Sequence, residues 1–369
     1  MTSSADWQQA ENVLCVRLDV LGDVLMTTPA LRALKESRPG RRLTLLTSST
    51  SAPLAPLVPE IDACIVYDAP WMKATAPRDD IRPDFAMIER LRQERFDAAV
   101  VFTVFSQNPL PTAFLCLLAG IPRRLAHCRE NPYQLLTDWV SEPEPEQFIR
   151  HEVRRQLDLV AAVGCRTANE RLSLSVPVEA SRSVEAMLRE LGLDKDDPWV
   201  LIHPGASAPS RRYPAELFAQ AAEMLSIDYG LRLVFSGSSG ERELIESIRS
   251  AVAVPSHSLA GCLSLAELAE LITRAPLLIT NNTGPAHLAA AVGTPVVDLY
   301  AQTNPQHTPW QVPHRLLYHD VPCKNCFKSV CPQGHHDCLA RVPPEDVVRA
   351  AKELLQSHLW LSAKPQATL

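Results

Sequence analysis

The sequence has 369 residues, 46% of them hydrophobic and 21% charged, with a formal net charge of -6. That length suits two domains with real cores, and the acidic balance excludes nucleic acid as the main partner because phosphate binding needs a basic surface. No uncharged apolar run approaches the ~18 residues of a spanning helix. Residues 1–11 are polar and lack the basic and apolar regions of a secretory signal, so the expected location is the cytoplasm.

The first half alternates short apolar runs with helical stretches. Residues 13–16 (VLCV) read as a buried strand. A helical period follows from Asp23 to about Ser37 and stops before Pro39-Gly40. Runs at 43–46, 63–66 and 98–102 predict further strands. Apolar runs without polar alternation suit a parallel sheet covered on both faces, and strand–helix alternation predicts a doubly wound α/β domain. Residues 141–146 (SEPEPE) form an acidic loop, 149–163 are helical in period, and the extended stretch at about 167–181 reads as a linker.

The second half restarts the pattern. Strands are expected at 200–202, 231–235, 277–279 and 295–299, and helices at about 214–225, after 240, at 265–273 and at 344–358. The reading is two facing Rossmann-like domains with parallel sheets: residues 1–175, acceptor-binding, and residues 176–345, nucleotide-sugar-binding. Residues 346–369 form a C-terminal helix and tail that pack back on the N-terminal domain. Ligands would sit at the carboxyl ends of the strands, in the inter-domain cleft.

Four motifs carry candidate chemistry. In Arg17-Leu18-Asp19-Val20-Leu21-Gly22-Asp23, a strand ends, a glycine turn follows and a carboxylate opens a helix. Asp23 can take a proton from an attacking hydroxyl or serve only as a helix N-terminal acid. No G-x-G-x-x-G is present here, which counts against a dinucleotide dehydrogenase. In His203-Pro204-Gly205-Ala206-Ser207, the loop backbone can approach a phosphate and Arg211 can hold a diphosphate bidentately; a plain surface loop is the alternative. In Gly237-Ser238-Ser239-Gly240-Glu241, small residues leave room for a nucleotide and Glu241 can accept from ribose hydroxyls, or the segment is an ordinary helix start. In Asn281-Asn282-Thr283-Gly284-Pro285-Ala286-His287, Asn282 or Thr283 can cap a helix and Pro285 suits its first turn. Free N–H groups there would bind an anion, although an ordinary capped helix would read the same.

In this order and spacing the motifs resemble glycosyltransferase family 9, the bacterial heptosyltransferases of lipopolysaccharide core assembly. The resemblance runs from about Val13 to Leu355 and is most specific in GDVLMTTPAL, in the HPGAS and RRYP pair, and in NNTGPAHLAAAVGTP. It implies a GT-B fold and an inverting, metal-independent transfer without a cofactor. The implied donor is ADP-heptose, and the implied acceptor is a lipopolysaccharide core or related glycolipid, met by peripheral contact with the inner membrane. By the same resemblance Asp23 matches the catalytic base, with Arg17, Gly22 and Thr27 beside it on the acceptor side. Arg211 matches a basic residue on the donor phosphates, with His203, Gly205 and Ser207 in its loop. Glu241 matches a ribose-binding acid, near Gly237, and the turn from Thr283 to His287 matches the diphosphate-binding helix start.

The sequence departs from the family at three positions: Asn282 replaces a common acid, Arg211 a usual lysine, and Asp19 a small hydroxyl residue. Asp19 places a negative charge near Asp23 and would raise its pKa. Two other readings keep the fold: a sugar-nucleotide epimerase, and a non-catalytic nucleotide-sugar-binding protein.

Several features stand outside these motifs. Cys323, Cys326, Cys331 and Cys338, with His335 and His336, have a spacing compatible with zinc; reduced structural thiols or disulfides are the alternatives. The other cysteines (Cys15, Cys64, Cys116, Cys128, Cys165, Cys262) are expected as small core hydrophobes. Asp194-Lys195-Asp196 reads as a loop. The arginine pairs 41–42, 123–124, 154–155 and 211–212 are expected on solvated faces. Asn304, His307 and Trp310 are expected to wall the donor pocket.

Overall fold

The computed structural model describes residues 4–193 and 198–362, so the Asp194-Lys195-Asp196 tripeptide lies outside the described residues. The chain divides into two compact units, Met1–Ser175 and Val176–Leu369.

The first unit holds strands β1 (Asn12–Val16), β2 (Arg42–Thr47), β3 (Ala63–Val66), β4 (Ala98–Val101), β5 (Arg123–Cys128) and β6 (Asp138–Ser141). Its helices are α1 (Ser4–Gln9), α2 (Leu21–Ser37), α3 (Arg82–Gln93), α4 (Leu110–Leu118) and α5 (Glu152–Ala161). The strands form one parallel sheet in the order β3-β2-β1-β4-β5-β6. Strand order therefore reverses between β1 and β4, the point where open α/β sheets leave a crevice for ligands. Leu14 and Val16 of β1 pack with Leu46, Ala99 and Val101 in the core below that point.

Helix α2 carries Pro29 in its interior, where a proline cannot supply the N–H owed to the carbonyl four residues back. Thr28 repairs the gap: its Oγ1 donates to the Leu25 carbonyl at 2.7 Å and accepts from the Ser173 N–H at 2.9 Å. The helix can thus stay inside the unit, with the face from Gly22 to Leu31 buried.

The second unit begins with α6 (Val178–Glu190), so part of the expected linker is helical. Then follow β7 (Trp199–His203), α7 (Ala215–Tyr229), β8 (Arg232–Phe235), α8 (Arg242–Ser250), β9 (Ser256–Ser258) and α9 (Leu265–Arg274). The unit ends with β10 (Leu278–Asn281), α10 (Gly284–Val292), β11 (Val296–Leu299), β12 (His314–Leu317), α11 (Asp337–Ala340) and α12 (Pro344–Ser362). The sheet order β12-β11-β10-β7-β8-β9 repeats the first unit's winding, with its reversal between β7 and β10. In α12, Val347, Val348, Ala351 and Leu354 belong to the core that α7, β8 and β11 build. Apolar residues at i, i+1, i+4 and i+7 give the one-sided stripe that such packing needs.

The arginine pairs depart from expectation. One member of three pairs is interior: Arg41, Arg124 and Arg155. Arg41 donates to the carbonyls of Trp7, Ala10 and Leu34, tying α1 to the end of α2. A buried guanidinium is tolerated when its donors are all engaged. Of the cysteines expected in cores, Cys15, Cys116, Cys128 and Cys165 are buried, Cys64 is half-buried and Cys262 is exposed.

Candidate active site

Arg17 is the first residue beyond β1 and has 0% of its surface exposed. Its Nε lies 2.9 Å from Asp19 Oδ2, its Nη2 3.2 Å from Asp23 Oδ1, and its Nη1 2.9 Å from Glu152 Oε1. Burial alone would weaken the guanidinium's charge; the Asp19, Glu152 and Asp23 carboxylates outweigh it and hold Arg17 more firmly protonated than usual. Glu152 opens α5 and also accepts from Gln156 Nε2 at 2.6 Å. Asp19 is pushed up to about 6, chiefly by burial, against the pull of Arg17 and with added repulsion from Asp23.

Asp23 sits in the first turn of α2 and is 8% exposed. No side chain caps that helix end. Thr27 Oγ1 donates to the Asp23 carbonyl at 2.8 Å, a bond within the helix. The residues expected on the acceptor side are therefore interior ones: Arg17, Gly22 and Thr27 are all buried. The open space beside them belongs to others. A cavity of about 300 Å³ is walled by Leu18, Asp19, Trp71, Thr103 and Gln107.

A second cluster forms in the other unit at the carboxyl ends of β7, β8, β10 and β11. Asn281 fastens the loop after β7: its Nδ2 donates to the Pro204 carbonyl at 2.7 Å, and its Oδ1 accepts from the Tyr213 N–H at 3.0 Å. His203 is buried, with Nδ1 3.1 Å from Ser236 Oγ and Nε2 3.9 Å from Glu241 Oε2. Burial lowers its pKa, against the opposing pull of the nearby Glu241 carboxylate. Glu241 Oε2 accepts from the Ser238 N–H at 2.7 Å and hydroxyl at 2.9 Å, closing a capping box. The same carboxylate lies against Gly205, where a Cβ would collide with it. His203, Gly205, Gly237 and Glu241 thus meet at one place, while Ser207 is exposed on the loop beyond.

Arg211 ends a short 3-10 turn, and its Nε is buried without a hydrogen-bond partner. Its charge acts on Asp298, a fully buried carboxyl on β11 that burial pushes up to about 8, against the opposing pulls of Asn282 and Arg211. Asn282 Nδ2 donates to Asp298 Oδ2 at 3.4 Å and to the His307 carbonyl at 2.9 Å. Asn282 therefore does not cap α10, and neither does Thr283, whose side chain makes no capping bond. Pro285, Ala286 and His287 are buried in the first turn, and Thr283 and Gly284 are half-exposed at its mouth. An uncapped N-terminus of a nine-residue helix and an unpaired guanidinium N–H are together suited to an anion. Asn304 and His307 pack nearby, with Tyr300 Oη donating to the Asn304 carbonyl at 2.6 Å.

Glu152 and Asp298 were not found from the sequence. Glu152 meets Arg17 across 135 residues, and no local motif marks it. Asp298 did leave a signal, a single charge inside the apolar run VVDLY.

The four late cysteines are free thiols. With His335 and His336 they line a cavity of only about 20 Å³. Among the described residues no group of three or more His, Cys, Asp or Glu is placed to hold a metal ion.

Residues 85–336 match the family model of glycosyltransferase family 9 (heptosyltransferase). A lipooligosaccharide heptosyltransferase 2 from Haemophilus influenzae is 25% identical over 93% of this chain and 99% of its own length. The lipooligosaccharide heptosyltransferase 2 of Campylobacter jejuni is 31% identical, with the match spanning 49% of this chain and 63% of that protein. The structure of the Escherichia coli ADP-heptose lps heptosyltransferase II superposes with a TM-score of 0.74 at 24% identity, over 94% of this chain and 99% of that one. That likeness is one of fold.

Proposed function

The chain belongs to glycosyltransferase family 9, and on that premise we propose that it transfers heptose from ADP-heptose to a lipopolysaccharide core or related glycolipid, with inversion and without a metal. The reading is carried by one observation: Asp23, in the first turn of α2 at the switch point of the first sheet, is held 3.2 Å from a buried arginine. A carboxylate fixed in that way is available to take one proton from a hydroxyl. An acceptor hydroxyl attacks the anomeric carbon from the face opposite the nucleotide, and Asp23 takes its proton as the new bond forms. The bond to the diphosphate breaks, and ADP leaves with the electron pair. Arg211 and the N–H groups at the start of α10 stabilise the charge that grows on it. Glu241 receives the ribose hydroxyls, and His203 and Gly205 bring the loop backbone close.

Among the described residues no helix is long and apolar enough to cross a membrane. A lipid-borne acceptor would then be met at the membrane surface.

The test is nucleotide release from ADP-heptose with a lipid A–core acceptor extract and EDTA. The expected result is EDTA-resistant release of ADP, reduced ~10²–10⁴-fold in Asp23→Asn while ADP binding persists. Epimerised donor appearing without acceptor would favour the epimerase reading. Tight nucleotide binding without turnover of any donor would favour a binding protein.

A further inference from the structure

Residues 318–336, between β12 and α11, hold no helix or strand and are fastened to two loops of the same unit. The Asn325 N–H donates to the Gln302 carbonyl at 2.6 Å, and the Phe327 N–H to the Thr303 carbonyl at 2.7 Å. From the other side Ser210 donates twice, its N–H to the Ser329 carbonyl at 3.0 Å and its Oγ to the Lys328 carbonyl at 2.8 Å. Ser210 directly precedes Arg211 in the short 3-10 turn, so the segment clasps the turn that carries Arg211. The clasp is strained. Among the described residues six non-glycine residues have positive φ, and three of them lie here: Asn325 (58°), Phe327 (53°) and His336 (55°). An aromatic side chain rarely adopts that region. Such a conformation costs ~1–3 kcal/mol and persists only while its surroundings enforce it.

The same segment and the helix after it bring four free, half-buried thiols to one place. Cys323, Cys326, Cys331 and Cys338 wall a single cavity of about 20 Å³, together with Ser210 and Thr303 of the clasp. A space of that size holds little more than one water, so the side chains around it stand close across it. Cys338 is fixed on α11, and its carbonyl accepts from the His319 N–H at 2.9 Å. Burial raises its thiol, the Gln302 backbone opposes this, and of the neighbouring thiols Cys331 adds most to the rise. Cys331 stands on the irregular segment, where backbone groups outweigh slight burial and favour its thiolate. One thiol is thus suited to attack and the other to follow it.

We propose that Cys331 and Cys338 form a thiol-exchange site for a low-molecular-weight disulfide, and that joining them loosens the turn that carries Arg211. Cys331 gives its proton to water, and its sulfur attacks one sulfur of the oxidant. The oxidant's S–S bond breaks, and one half leaves with the electron pair and takes up a proton. Cys338 then loses its proton, and its sulfur attacks Cys331 Sγ in the mixed disulfide. The second half leaves in the same way. The chain has lost two electrons and two protons, and the oxidant has become two thiols. Cys331 is two residues beyond Ser329, whose carbonyl holds Ser210. Drawing Cys331 towards Cys338 pulls residues 328–329 off Ser210, and Arg211 loses its fixed place. The effect on ADP rests on the role given to Arg211 in the transferase reading above; the exchange itself does not.

The test treats the reduced full chain with oxidised glutathione, maps disulfides by non-reducing peptide mass spectrometry, and measures ADP affinity by calorimetry before and after. A Cys331–Cys338 linkage should appear, ADP should bind about tenfold more weakly, and dithiothreitol should restore the affinity. Cys331→Ser and Cys338→Ser should each bind ADP like the reduced wild type, which also reports that they are folded, and should lose no affinity on treatment. No linkage, or a linkage between any other pair, would overturn the proposal. So would an oxidant effect that survives in both serine variants. A Cys331–Cys338 linkage that leaves ADP affinity unchanged would overturn the coupling to Arg211 while leaving the transferase reading in place. A reduced chain that binds no ADP yet forms the linkage would count against the transferase reading and leave the exchange site standing.

Discussion

Arg17 Nη2 lies 3.2 Å from Asp23 Oδ1, and Arg17 has no exposed surface. The proposed base is therefore oriented from inside the unit by a cation that water cannot reach. Asp19, Asp23 and Glu152 share that one guanidinium, so moving any of them alters the field on the others. The fork geometry matters here, because one planar group serves carboxylates arriving from a loop, from α2 and from α5.

Arg17→Met should be strongly destabilising. It leaves three carboxylates around an empty place, and breaking a buried pair by removing one partner typically costs ~3–5 kcal/mol. Arg17→Lys keeps the charge but cannot reach all three groups, and should fall between Met and wild type. Urea unfolding measures both. A loss of less than about 1 kcal/mol in Arg17→Met, the ordinary size of an exposed pair, would mean that the network does not hold the unit together.

The pH dependence of stability should carry the mark of Asp298. Burial raises its carboxyl from 3.8 to about 8, with Asn282 and Arg211 pulling the other way. The buried phenol of Tyr300 is the other titratable group that senses its charge. Between about 4 and 8 the folded chain keeps a proton that the unfolded chain has lost. The contribution of Asp298 is therefore fully present below pH ~4 and lost as pH rises through about 8. Asp298→Asn removes that proton from the balance. Its stability relative to wild type should climb from pH 4 to pH 8 and then level off. Parallel unfolding curves across that range would rule out the shift.

Gly205→Ala should weaken nucleotide binding about as much as Glu241→Gln. A Cβ at Gly205 would collide with the Glu241 carboxylate, which already holds the Ser238 N–H at 2.7 Å. The methyl group must push Glu241 out of the position proposed to receive the ribose. Calorimetry with ADP on both variants and the double variant tests this. If the two substitutions act through one carboxylate, the double variant is no weaker than the weaker single one. Fully additive losses would separate Gly205 from Glu241.

The strands that were legible in the sequence are the buried central ones. β1 and β7 are apolar at almost every position because both faces of a parallel sheet are covered. Among the outer strands β3 was legible as the apolar run 63–66, but β5, β6, β9 and β12 were not. β5 begins with Arg123-Arg124, which reads as surface, yet Arg124 is folded inward and donates to the carbonyls of Gln134 and Leu135, each at 2.8 Å. β9 is three partly exposed residues, Ser256–Ser258, with no apolar period to detect. In the second unit's cluster, motif order placed His203, Gly205, Glu241 and Asn282 together. What it missed is tertiary: Asn282 is turned away from α10 by Asp298 and His307, and Arg17 is turned inward by Glu152.

Within the late cysteine cluster, Cys331 should be more reactive than Cys338. Slight burial pulls the Cys331 thiol up, but the backbone N–H groups of His336, Gln333, Gly334 and His335 around it favour the thiolate and bring it below the ordinary value. Cys338 goes the other way, raised by burial and by the neighbouring thiols of Cys331, Cys323 and Cys326. Cys116, fully buried, is pushed up to about 12. Since the thiolate is the nucleophile, iodoacetamide at pH 7 should alkylate Cys331 well before Cys338, and should reach Cys116 only after unfolding. Peptide mass spectrometry over a time course gives the order directly. Equal rates at Cys331 and Cys338 would show that the backbone donors around Cys331 do not set its reactivity.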